Sequence, residues 1–446
     1  MRWMSLRSRP PVPRPAFAAV LAAGCLLAAA CAVNPVTGQS ELSLLSEAQE
    51  LRMGEQAYPI YTQMSEGLFQ DPDLQAYVQA VGERLARVSH RPDLDYRFNV
   101  VNASEINAYA LPGGKISITR GLLARMANEA QLASVLGHEI GHVTARHAAA
   151  GYTRQVLAGL LTSVGLAALE SASVAGADLI AQGGMLATNL VLMKYSRDQE
   201  RQADELGMEY LTEAGYHPDG MAQTMEILLA SHDREPSAVE SLFLSHPLTS
   251  ERLEHARWMA DLQDRALKTP EHLRAEPFRR ATAHLRQVAP AYEKMDAGRK
   301  ALAAGEGDRA LALLEQATEL APAEALIWAF RAAAEAKADR AEAAYASARR
   351  AVELYPELYR ARFTAGVLAF QLGKHRESLD HLDVAARLVP DQPPVAFYRG
   401  RNYEATGRRQ EAAEAYAAVV RRVRKGPMAE YCYKRLAQWG YLRPQG

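Results

Sequence analysis

The C-terminal third of the chain repeats with a period of 34 residues, and this period restricts the possible folds more than any other feature. Prolines recur at this spacing, each two positions after a leucine, at Pro322, Pro356 and Pro390. A second series of mostly glycine positions keeps the same period, at Gly298, Ala332, Gly366 and Gly400. Because paired helices approach closely only where side chains are small, and because proline ends a helix, the period predicts stacked helical hairpins.

A period of 34 residues is typical of tetratricopeptide repeats. We predict a helical linker at residues 266–290 and a repeat domain at 291–446, with four units (291–324, 325–358, 359–392 and 393–426) and a capping helix. The alternative is a set of unrelated helical hairpins that share this spacing by coincidence. Repeat arrays of this kind present concave surfaces to protein segments and have no catalytic chemistry of their own.

The composition is that of a large soluble enzyme. The chain has 446 residues, of which 48% are hydrophobic and 23% charged, and its formal net charge is −1. This allows two domains with full cores and gives no indication of nucleic-acid binding through bulk charge. The chain has only three cysteines (Cys25, Cys31 and Cys432), so no disulfide framework stabilises the fold. We expect Cys432 to be a lone thiol buried in a helix.

A metal-binding pattern lies upstream of the repeats. The segment from His138 to His142 reads H-E-I-G-H and has a helical pattern. Residues four apart lie on one face of a helix, so both imidazoles can reach one metal ion. Glu139 projects beside them, where its carboxylate can take a proton from a water that the metal activates. The alternative interpretation is two surface histidines on an ordinary helix.

The third ligand of such a site has to come from elsewhere in the chain. His147 follows His142 by five residues, so it leaves the metal face, and we expect it to pack against the site or contact a ligand. Glu200 and Asp204 lie four apart on a helical stretch from Arg197 to Leu211. Glu200 can therefore be a ligand while Asp204 orients a histidine ring. By itself, a Glu and an Asp at this spacing indicate a solvated helix face. With an H-E-x-x-H upstream, we favour the interpretation as a metal ligand and its neighbour.

Four elements, in order and spacing, resemble one enzyme family. They are the segment from Asn107 to Gly114 (N-A-Y-A-L-P-G-G), the segment from His138 to His142, Glu200 with Asp204, and Ser245-His246-Pro247 with Arg252. On these elements the chain resembles the zinc metallopeptidases that include HtpX and the CAAX prenyl endopeptidases, and within them a soluble periplasmic branch. The resemblance covers residues 33–265 and extends into the repeats.

The resemblance implies a zincin fold of the gluzincin type with one Zn²⁺ per chain. His138, His142 and Glu200 would be the metal ligands, with Glu139 as the catalytic base. Asp204 would orient one of the ligands.

The resemblance also implies roles for three residues outside the ligand set. His246, in a predicted loop between two helices, would face the metal. There it would stabilise the transition-state oxyanion or occupy the open zinc position and hold the enzyme shut. A loop histidine is otherwise an ordinary polar surface residue. Asn107 would lie near the bound peptide, or simply cap a strand end. Arg252 would pair with a carboxylate near the site.

Short strands are predicted just before the metal helix. Tyr96 to Val101, Asn107 to Leu111, and Lys115 to Thr119 have strand patterns, and Pro112-Gly113-Gly114 forms a turn between the last two. Residues 43–88 before them have a helical pattern. An exposed strand edge beside the metal helix can hold a substrate backbone through ladder hydrogen bonds.

The N-terminus has the pattern of an export signal at residues 1–30. A basic region with four arginines is followed by the apolar run from Ala16 to Ala30, which is too short to span a bilayer well. The run ends L-A-A-A before Cys31, which is similar to a lipoprotein processing site; Cys25 is a weaker competitor. We expect lipid chains on Cys31, and Ala32 after it suggests the periplasmic face of the outer membrane. Plain secretion after cleavage near Ala30 is the alternative.

Residues 151–194 are apolar and rich in Gly and Ala. Their longest uncharged stretches, 155–169 and 179–193, are each 15 residues long. A membrane-spanning helix needs about 20 residues. We expect a helical hairpin over the cleft or dipping toward the membrane surface, with Gly183 and Gly184 as a hinge or a turn.

The sequence therefore predicts an α+β, mostly helical chain: a zincin metallopeptidase domain with a small sheet at residues 31–265, followed by an all-α tetratricopeptide-repeat solenoid. The resemblance implies a zinc endopeptidase of the bacterial periplasm. Its substrates would be misfolded or stalled outer-membrane proteins or their assembly machinery, and the repeats would dock these proteins. The alternative is a chaperone or binding protein with a mostly silent, self-inhibited site. A prenyl-protein peptidase is disfavoured because the sequence has no full membrane span.

Overall fold

The structure, a computed structural model, describes residues 31–167, 194–234 and 236–442. The predicted export signal at 1–30 lies outside these ranges. So do residues 168–193, which contain most of the predicted apolar hairpin and its Gly183-Gly184 pair. Within the described residues, no helix has the length and apolar character needed to cross a bilayer.

The N-terminal part opens with a small antiparallel ribbon of β1 (Cys31–Val33) and β2 (Ser40–Leu42). Two helices follow, α1 (Glu47–Met64) and α2 (Pro72–Ala86). The prediction of one helical segment over 43–88 is wrong between them. Glu66 and Gly67 have positive φ values of 69° and 75°, which a continuing helix cannot accommodate.

A three-stranded sheet lies between α2 and the metal helix. It contains β3 (Arg97–Val101), β4 (Ala108–Leu111) and β5 (Lys115–Thr119) in the order β3-β5-β4. β5 is parallel to β3 and antiparallel to β4. The predicted turn is present, and both of its glycines have positive φ. β4 is therefore an edge strand of this sheet.

Helices cover the sheet and enclose the core. They are α3 (Arg120–Leu123), α4 (Glu129–Thr144), α5 (His147–Ala167), α6 (Arg197–Glu213), α7 (Asp219–Arg234), α8 (Pro236–Ser245) and α9 (Ser250–Leu262). α4 is the central helix and is buried over almost its whole length. Asn128 caps its first turn by accepting a hydrogen bond from the Gln131 amide.

The C-terminal part is a series of helix pairs after two 3₁₀ turns (Arg265–Leu267 and Pro270–Leu273). Its helices are α10 (Ala275–Ala281), α11 (Ala283–Ala303), α12 (Gly307–Leu320), α13 (Ala325–Lys337), α14 (Ala341–Leu354), α15 (Tyr359–Gln371), α16 (His375–Leu388), α17 (Pro393–Ala405), α18 (Arg409–Arg422) and α19 (Pro427–Gln438). The second, third and fourth predicted 34-residue units each hold one pair. The pair of the first unit begins earlier than residue 291, because α11 starts at Ala283, and α19 follows the last unit. Cys432 is buried in α19, as predicted.

The small residues of the period allow each pair to pack closely. A Cβ atom at Gly366 would lie 2.7 Å from the Leu382 side chain, and one at Gly400 would lie 2.4 Å from the Tyr416 ring. Both distances are too short for real atoms, so these positions need glycine. This is the structural cause of the repeated glycine.

The two parts of the chain share one hydrophobic core and several polar contacts. The Arg120 guanidinium lies 3.8 Å from the centre of the Tyr292 ring, and the Tyr292 hydroxyl accepts a hydrogen bond of 2.8 Å from Asn102. Further along the array, Arg360 donates a hydrogen bond of 2.6 Å to Glu66. The repeats are therefore packed against the N-terminal part at two separate places.

Candidate metal centre

Two small-residue pairs bring α4 and α6 into backbone contact. Gly137 and Gly141 of α4 face Ala203 and Gly207 of α6. A Cβ atom at Gly141 would lie 3.0 Å from the Ala203 carbonyl oxygen, and one at Gly207 would lie 3.0 Å from the His138 amide nitrogen. Because the helices can approach so closely, the short side chain of Glu200 on α6 reaches the histidines of α4.

Four side chains converge at this contact. His138 and His142 from α4, Glu200 from α6, and His246 from the loop between α8 and α9 each offer one ligand atom, and these atoms lie within 4.8 Å of one another. His142, Glu200 and His246 are buried, and the His138 side chain is 13% exposed. The structure thus brings together the three predicted ligands and the predicted loop histidine. His246 lies between two helices, as predicted.

The spacing of these atoms suits a metal ion. The two Nε2 atoms of His138 and His142 lie 3.1 Å apart, and Glu200 carboxylate oxygens lie 3.7 Å and 3.4 Å from them. Zinc bonds of about 2.0–2.1 Å in a tetrahedron place neighbouring ligand atoms roughly 3.3–3.4 Å apart. Two imidazole nitrogens and a carboxylate are also the donor types that such an ion takes. This cluster could therefore hold a metal ion.

Asp204 and Arg252 fix the orientation of two of these groups. Asp204 Oδ1 lies 2.9 Å from His138 Nδ1, so His138 keeps its Nε2 toward the cluster. Arg252 donates two hydrogen bonds to Asp204, of 2.7 Å and 2.8 Å, and a third of 2.6 Å to Glu200. Arg252 therefore pairs with both carboxylates.

His142 is oriented by a different set of contacts. Its Nδ1 lies 2.9 Å from His147 Nδ1, and His147 Nε2 lies 3.0 Å from Gln202 Oε1. Burial lowers the pKa of His147 to about 4, which keeps this histidine neutral. The Tyr195 ring stacks on His142, with ring centres 4.0 Å apart. His142 is thus held on one edge by a hydrogen bond and on one face by an aromatic ring.

The charges of the cluster are coupled to one another. Burial alone would raise the pKa of Glu200, but His246 and His142 outweigh burial and lower it. Burial likewise opposes ionisation of Asp204, yet Arg252 and His138 lower its pKa. Burial lowers the pKa of His142 well below its usual range. The site therefore favours ionised carboxylates beside a neutral His142, the protonation states that metal ligands need.

Glu139 lies between the cluster and the sheet. Its carboxylate accepts a hydrogen bond from the Ala110 backbone amide of β4, and it lies 3.9 Å from His246 Nε2. Burial raises the pKa of the Glu139 carboxyl, although nearby His246 and His138 oppose the shift. The carboxylate stands beside the ligand atoms, where it can exchange a proton with water.

The edge strand β4 runs past Glu139. Every second residue of this segment forms its backbone hydrogen bonds with β5. The first of them is Asn107, whose carbonyl oxygen accepts a hydrogen bond of 3.0 Å from the Thr119 backbone amide. In an antiparallel pair, the alternate residues direct their backbone N–H and C=O groups away from the partner strand. In β4 these residues are Ala108 and Ala110. Asn107 lies just before β4, and its backbone N–H donates a hydrogen bond to Thr119 Oγ1. This edge of β4 therefore faces the cluster, because Ala110 contacts Glu139 and Ala108 lines the cavity beside it.

An apolar cavity opens beside the cluster. Its empty volume is about 540 Å³, including its mouth to solvent, and His138, Glu139 and His246 line one side. The remaining wall is mostly aliphatic, with Leu122, Val135, Met221, Met225, Leu242 and Leu248. The site thus combines a polar, metal-competent floor with an apolar pocket.

The roles of some residues that position the site were not predicted from the sequence. Tyr195 and Gln202 carry no local signal for contact with His142 or His147, because these contacts arise only when α4, α5 and α6 meet. Gly207 does carry one. With Ala203 it forms a small-residue pair spaced by four on α6, and α4 has the matching pair at Gly137 and Gly141.

A buried His-His-Glu set on two antiparallel partner helices, with a glutamate after the first histidine and an edge strand alongside, defines a zincin-type metallopeptidase domain. The model of peptidase family M48 matches residues 72–260. Metalloprotease YcaL of Escherichia coli (strain K12) is 31% identical over 186 residues, which are 40% of this chain and 68% of YcaL. The chain belongs to peptidase family M48.

Further similarity extends to relatives with longer chains. The beta-barrel assembly-enhancing protease of Escherichia coli (strain K12) is 35% identical over 228 residues, which are 50% of this chain and 46% of that protein. This chain thus matches about half the length of these curated relatives. Among solved structures, TTC0263, a thermophilic TPR protein of Thermus thermophilus, matches with a TM-score of 0.29 and 14% identity, over 49% of this chain and 91% of that one. The repeat assignment rests on the helix pairs described above.

Proposed function

We propose that the chain is a zinc-dependent endopeptidase. His138, His142 and Glu200 hold one Zn²⁺, Glu139 is the general base, and Asp204 orients His138. The observation that carries the proposal is the position of Glu139, whose carboxylate contacts the edge strand β4 at Ala110 and stands beside the ligand atoms. A purely structural metal site would need neither a buried carboxylate next to its ligands nor a strand edge in contact with that carboxylate.

The residues divide the chemistry between them. A bound zinc ion supplies Lewis-acid chemistry, because it acidifies water and polarises a peptide carbonyl. Glu139 takes the proton of the attacking water and passes it to the leaving nitrogen. The Ala110 amide holds the Glu139 carboxylate in place for this transfer. The buried pair of Asp204 and Arg252 keeps the His138 ring fixed during the reaction.

The substrate is an extended polypeptide. It adds to the edge of β4 through backbone hydrogen bonds, with Asn107 near its path. The relatives named beta-barrel assembly-enhancing protease support outer-membrane proteins, or their assembly machinery, as the targets. In this proposal residues 31–265 form the peptidase domain, 266–290 link it to the repeats, and the repeats at 291–446 dock protein partners.

The site of action is the bacterial periplasm. The export pattern before residue 31 and the relatives' role in β-barrel assembly support this location. We propose lipid chains on Cys31, the first residue of β1, which would tether the protein to the inner face of the outer membrane.

His246 supports a second candidate function, a chaperone or binding protein with a self-inhibited site. Its Nδ1 lies 3.0 Å from Glu200 and 3.5 Å from His138 Nε2, so it stands where a fourth zinc ligand would stand. A catalytic zinc keeps one position open, so His246 in this place blocks catalysis until it moves. The loop position of His246 allows such a movement.

Glu139→Gln tests the main proposal. The variant should keep one zinc per chain, because the amide replaces no ligand, and should lose cleavage of an unfolded protein such as casein by about a thousandfold or more. Glu209→Gln, an exposed change on α6, is the matched control and should behave like wild type. Full rescue of a deletion strain's envelope defects by Glu139→Gln would favour the chaperone function instead.

A further inference from the structure

The inner layer of the repeat array ends in a surface rich in aromatic side chains around one arginine. The first helices of successive units, α11, α13, α15 and α17, contact one another in series, so they form the concave side of the array. On the last of them, Arg401 has its guanidinium carbon 5.2 Å from the Phe370 ring centre, 5.8 Å from Phe397 and 4.8 Å from Tyr431. We define Phe370, Phe397, Arg401 and Tyr431 as the arginine platform.

Arg401 differs from two nearby arginines that are held by carboxylates. Arg422 lies 2.7 Å from the Asp391 carboxylate, and Arg435 is paired with Glu404. Across the described residues 236–442, Arg401 makes no ion pair or hydrogen bond, and it is only partly buried. Its guanidinium lies over the three rings. Aromatic faces hold a guanidinium in place and leave its N–H groups able to bind an anion.

The surrounding charge favours an acidic ligand. Residues 393–442 contain ten Lys or Arg and four Asp or Glu, whereas the whole chain has a net charge of −1. The rest of the chain is therefore acidic, and the last unit with its cap is its basic end. An acidic partner gains attraction at this end and repulsion elsewhere.

The platform is continuous with the contact between the repeats and the peptidase domain. Phe363 and Phe370 lie seven residues apart on α15 and so share a face of that helix. One turn before Phe363, Arg360 binds Glu66 of the peptidase domain. A polypeptide lying along this face would run from the platform toward the peptidase domain.

From these observations we infer that the arginine platform docks an acidic polypeptide segment, with an Asp or Glu side chain on Arg401 and a neighbouring apolar side chain on the rings. This inference deepens the proposed docking role of the repeats and rests on it. A planar guanidinium accepts a carboxylate in two parallel hydrogen bonds, and the rings exclude water from that contact. Recognition therefore needs both a carboxylate and an apolar residue close to it.

Selection from a random 12-residue phage library tests the inference. The full chain carries Glu139→Gln so that bound peptides stay intact, and the recovered peptides should be enriched in Asp and Glu next to Phe, Tyr, Trp or Leu. A fluorescent copy of the strongest peptide should lose affinity at least about tenfold with Arg401→Gln. The peptide affinity of Arg401→Lys should lie between those of the unchanged platform and Arg401→Gln, because lysine keeps the charge but cannot form two parallel hydrogen bonds with a carboxylate.

The control removes an equal charge from the same unit. Arg421 is exposed on the outer helix α18, so Arg421→Gln should change the affinity by less than about twofold. Absence of acidic enrichment would overturn the inference. Equal losses from Arg401→Gln and Arg421→Gln would also overturn it, because bulk charge would then explain the binding. So would tighter binding to phosphatidylglycerol vesicles than to the peptides, with the same dependence on Arg401.

The outcome separates from that of the proposed function. Peptide binding by the Glu139→Gln chain needs no hydrolysis, and casein cleavage by the otherwise wild-type chain needs no platform. Loss of acidic binding with casein cleavage intact would refute only the inference. Acidic binding in a chain that never cleaves casein would refute only the peptidase.

Discussion

Gly207 of α6 lies against the backbone of His138 on α4, so closely that a methyl group at residue 207 would be 3.0 Å from the His138 amide nitrogen. This contact sets the distance between the helix that carries two candidate ligands and the helix that carries the third. A glycine in the middle of a helix normally weakens it. Here it allows Glu200 to reach the histidines.

Gly207→Ala should therefore lower metal affinity. The added methyl meets backbone atoms that cannot rotate away, so α6 has to shift and Glu200 moves with it. We expect zinc to bind about tenfold more weakly, with a loss of about 1–3 kcal/mol in stability. Competition with a chromophoric chelator measures the affinity. Gly307→Ala, where a methyl group meets nothing within 4 Å, is the control and should leave zinc binding unchanged.

Gln202 should determine, through His147, which ring nitrogen of the candidate ligand His142 carries the proton. The Gln202 carbonyl oxygen accepts the His147 Nε2 proton, so His147 Nδ1 can accept only from His142 Nδ1, which leaves His142 Nε2 free for a metal. Gln202→Leu removes the acceptor and should weaken zinc binding about tenfold. Gln202→Glu keeps an acceptor and should restore most of the affinity.

Nitrogen-15 NMR of labelled histidines gives a readout that stability does not affect. Wild type and Gln202→Glu should show His142 protonated on Nδ1, and Gln202→Leu should show a mixture of tautomers. If His142 carries its proton on Nδ1 to the same extent in Gln202→Leu, the role assigned to Gln202 is wrong.

His246→Ala should raise the basal cleavage of casein several-fold. In the structure His246 stands at the fourth vertex of the cluster, so its removal should open that position. If His246 instead stabilised the transition-state oxyanion, kcat should fall by about a hundredfold or more. His255→Ala on α9 changes a histidine that stacks on the exposed Trp258 and should leave cleavage unchanged.

Glu404 should make the last repeat unit sensitive to acid. Burial alone would raise the pKa of Glu404, but hydrogen bonds from Tyr416, Arg435 and Tyr431 outweigh it and lower the pKa. A carboxyl whose pKa is lowered by folding stabilises the fold above its unfolded pKa of about 4.3 and loses that contribution as the pH falls through the folded pKa. Glu404→Gln should thus destabilise the chain by about 1 kcal/mol at pH 7.

Denaturant unfolding of wild type and Glu404→Gln at several pH values checks this prediction. The difference in free energy of unfolding should shrink steadily below pH of about 4. A difference that stays constant between neutral and acidic pH would show that the ionised carboxylate is not the source of the stability.

Local patterns predicted much of the fold. The i, i+4 spacing of His138 and His142 predicts which helix face they share, and the 34-residue period predicts every helix pair of the array, because both signals lie within one element or between neighbours. The pairing of Glu200 with these histidines is different. The spacing of Glu200 and Asp204 made Glu200 a candidate ligand and the family resemblance supported it, but the spacing within α6 does not itself state that α6 meets α4.

Contacts between distant segments could not be read from the sequence. Asn102 bonds Tyr292 across 190 residues, and Glu66 bonds Arg360 across 294. Asn102, Glu66 and Arg360 are polar residues of types common at surfaces, and nothing in their local sequence indicates a distant partner. Such contacts depend on how finished elements dock. The break in the first helical segment is different, because Gly67 and the Asp71 cap before Pro72 are local signals that end one helix and begin the next.

The metal content of the purified chain tests the central claim most directly. Elemental analysis of wild type should find one zinc per chain, and Glu200→Ala should retain far less, because two imidazoles alone hold zinc weakly. The Glu209→Ala control should match wild type. A wild-type chain without stoichiometric metal, or a Glu200→Ala chain that binds zinc as tightly as wild type, would contradict the account.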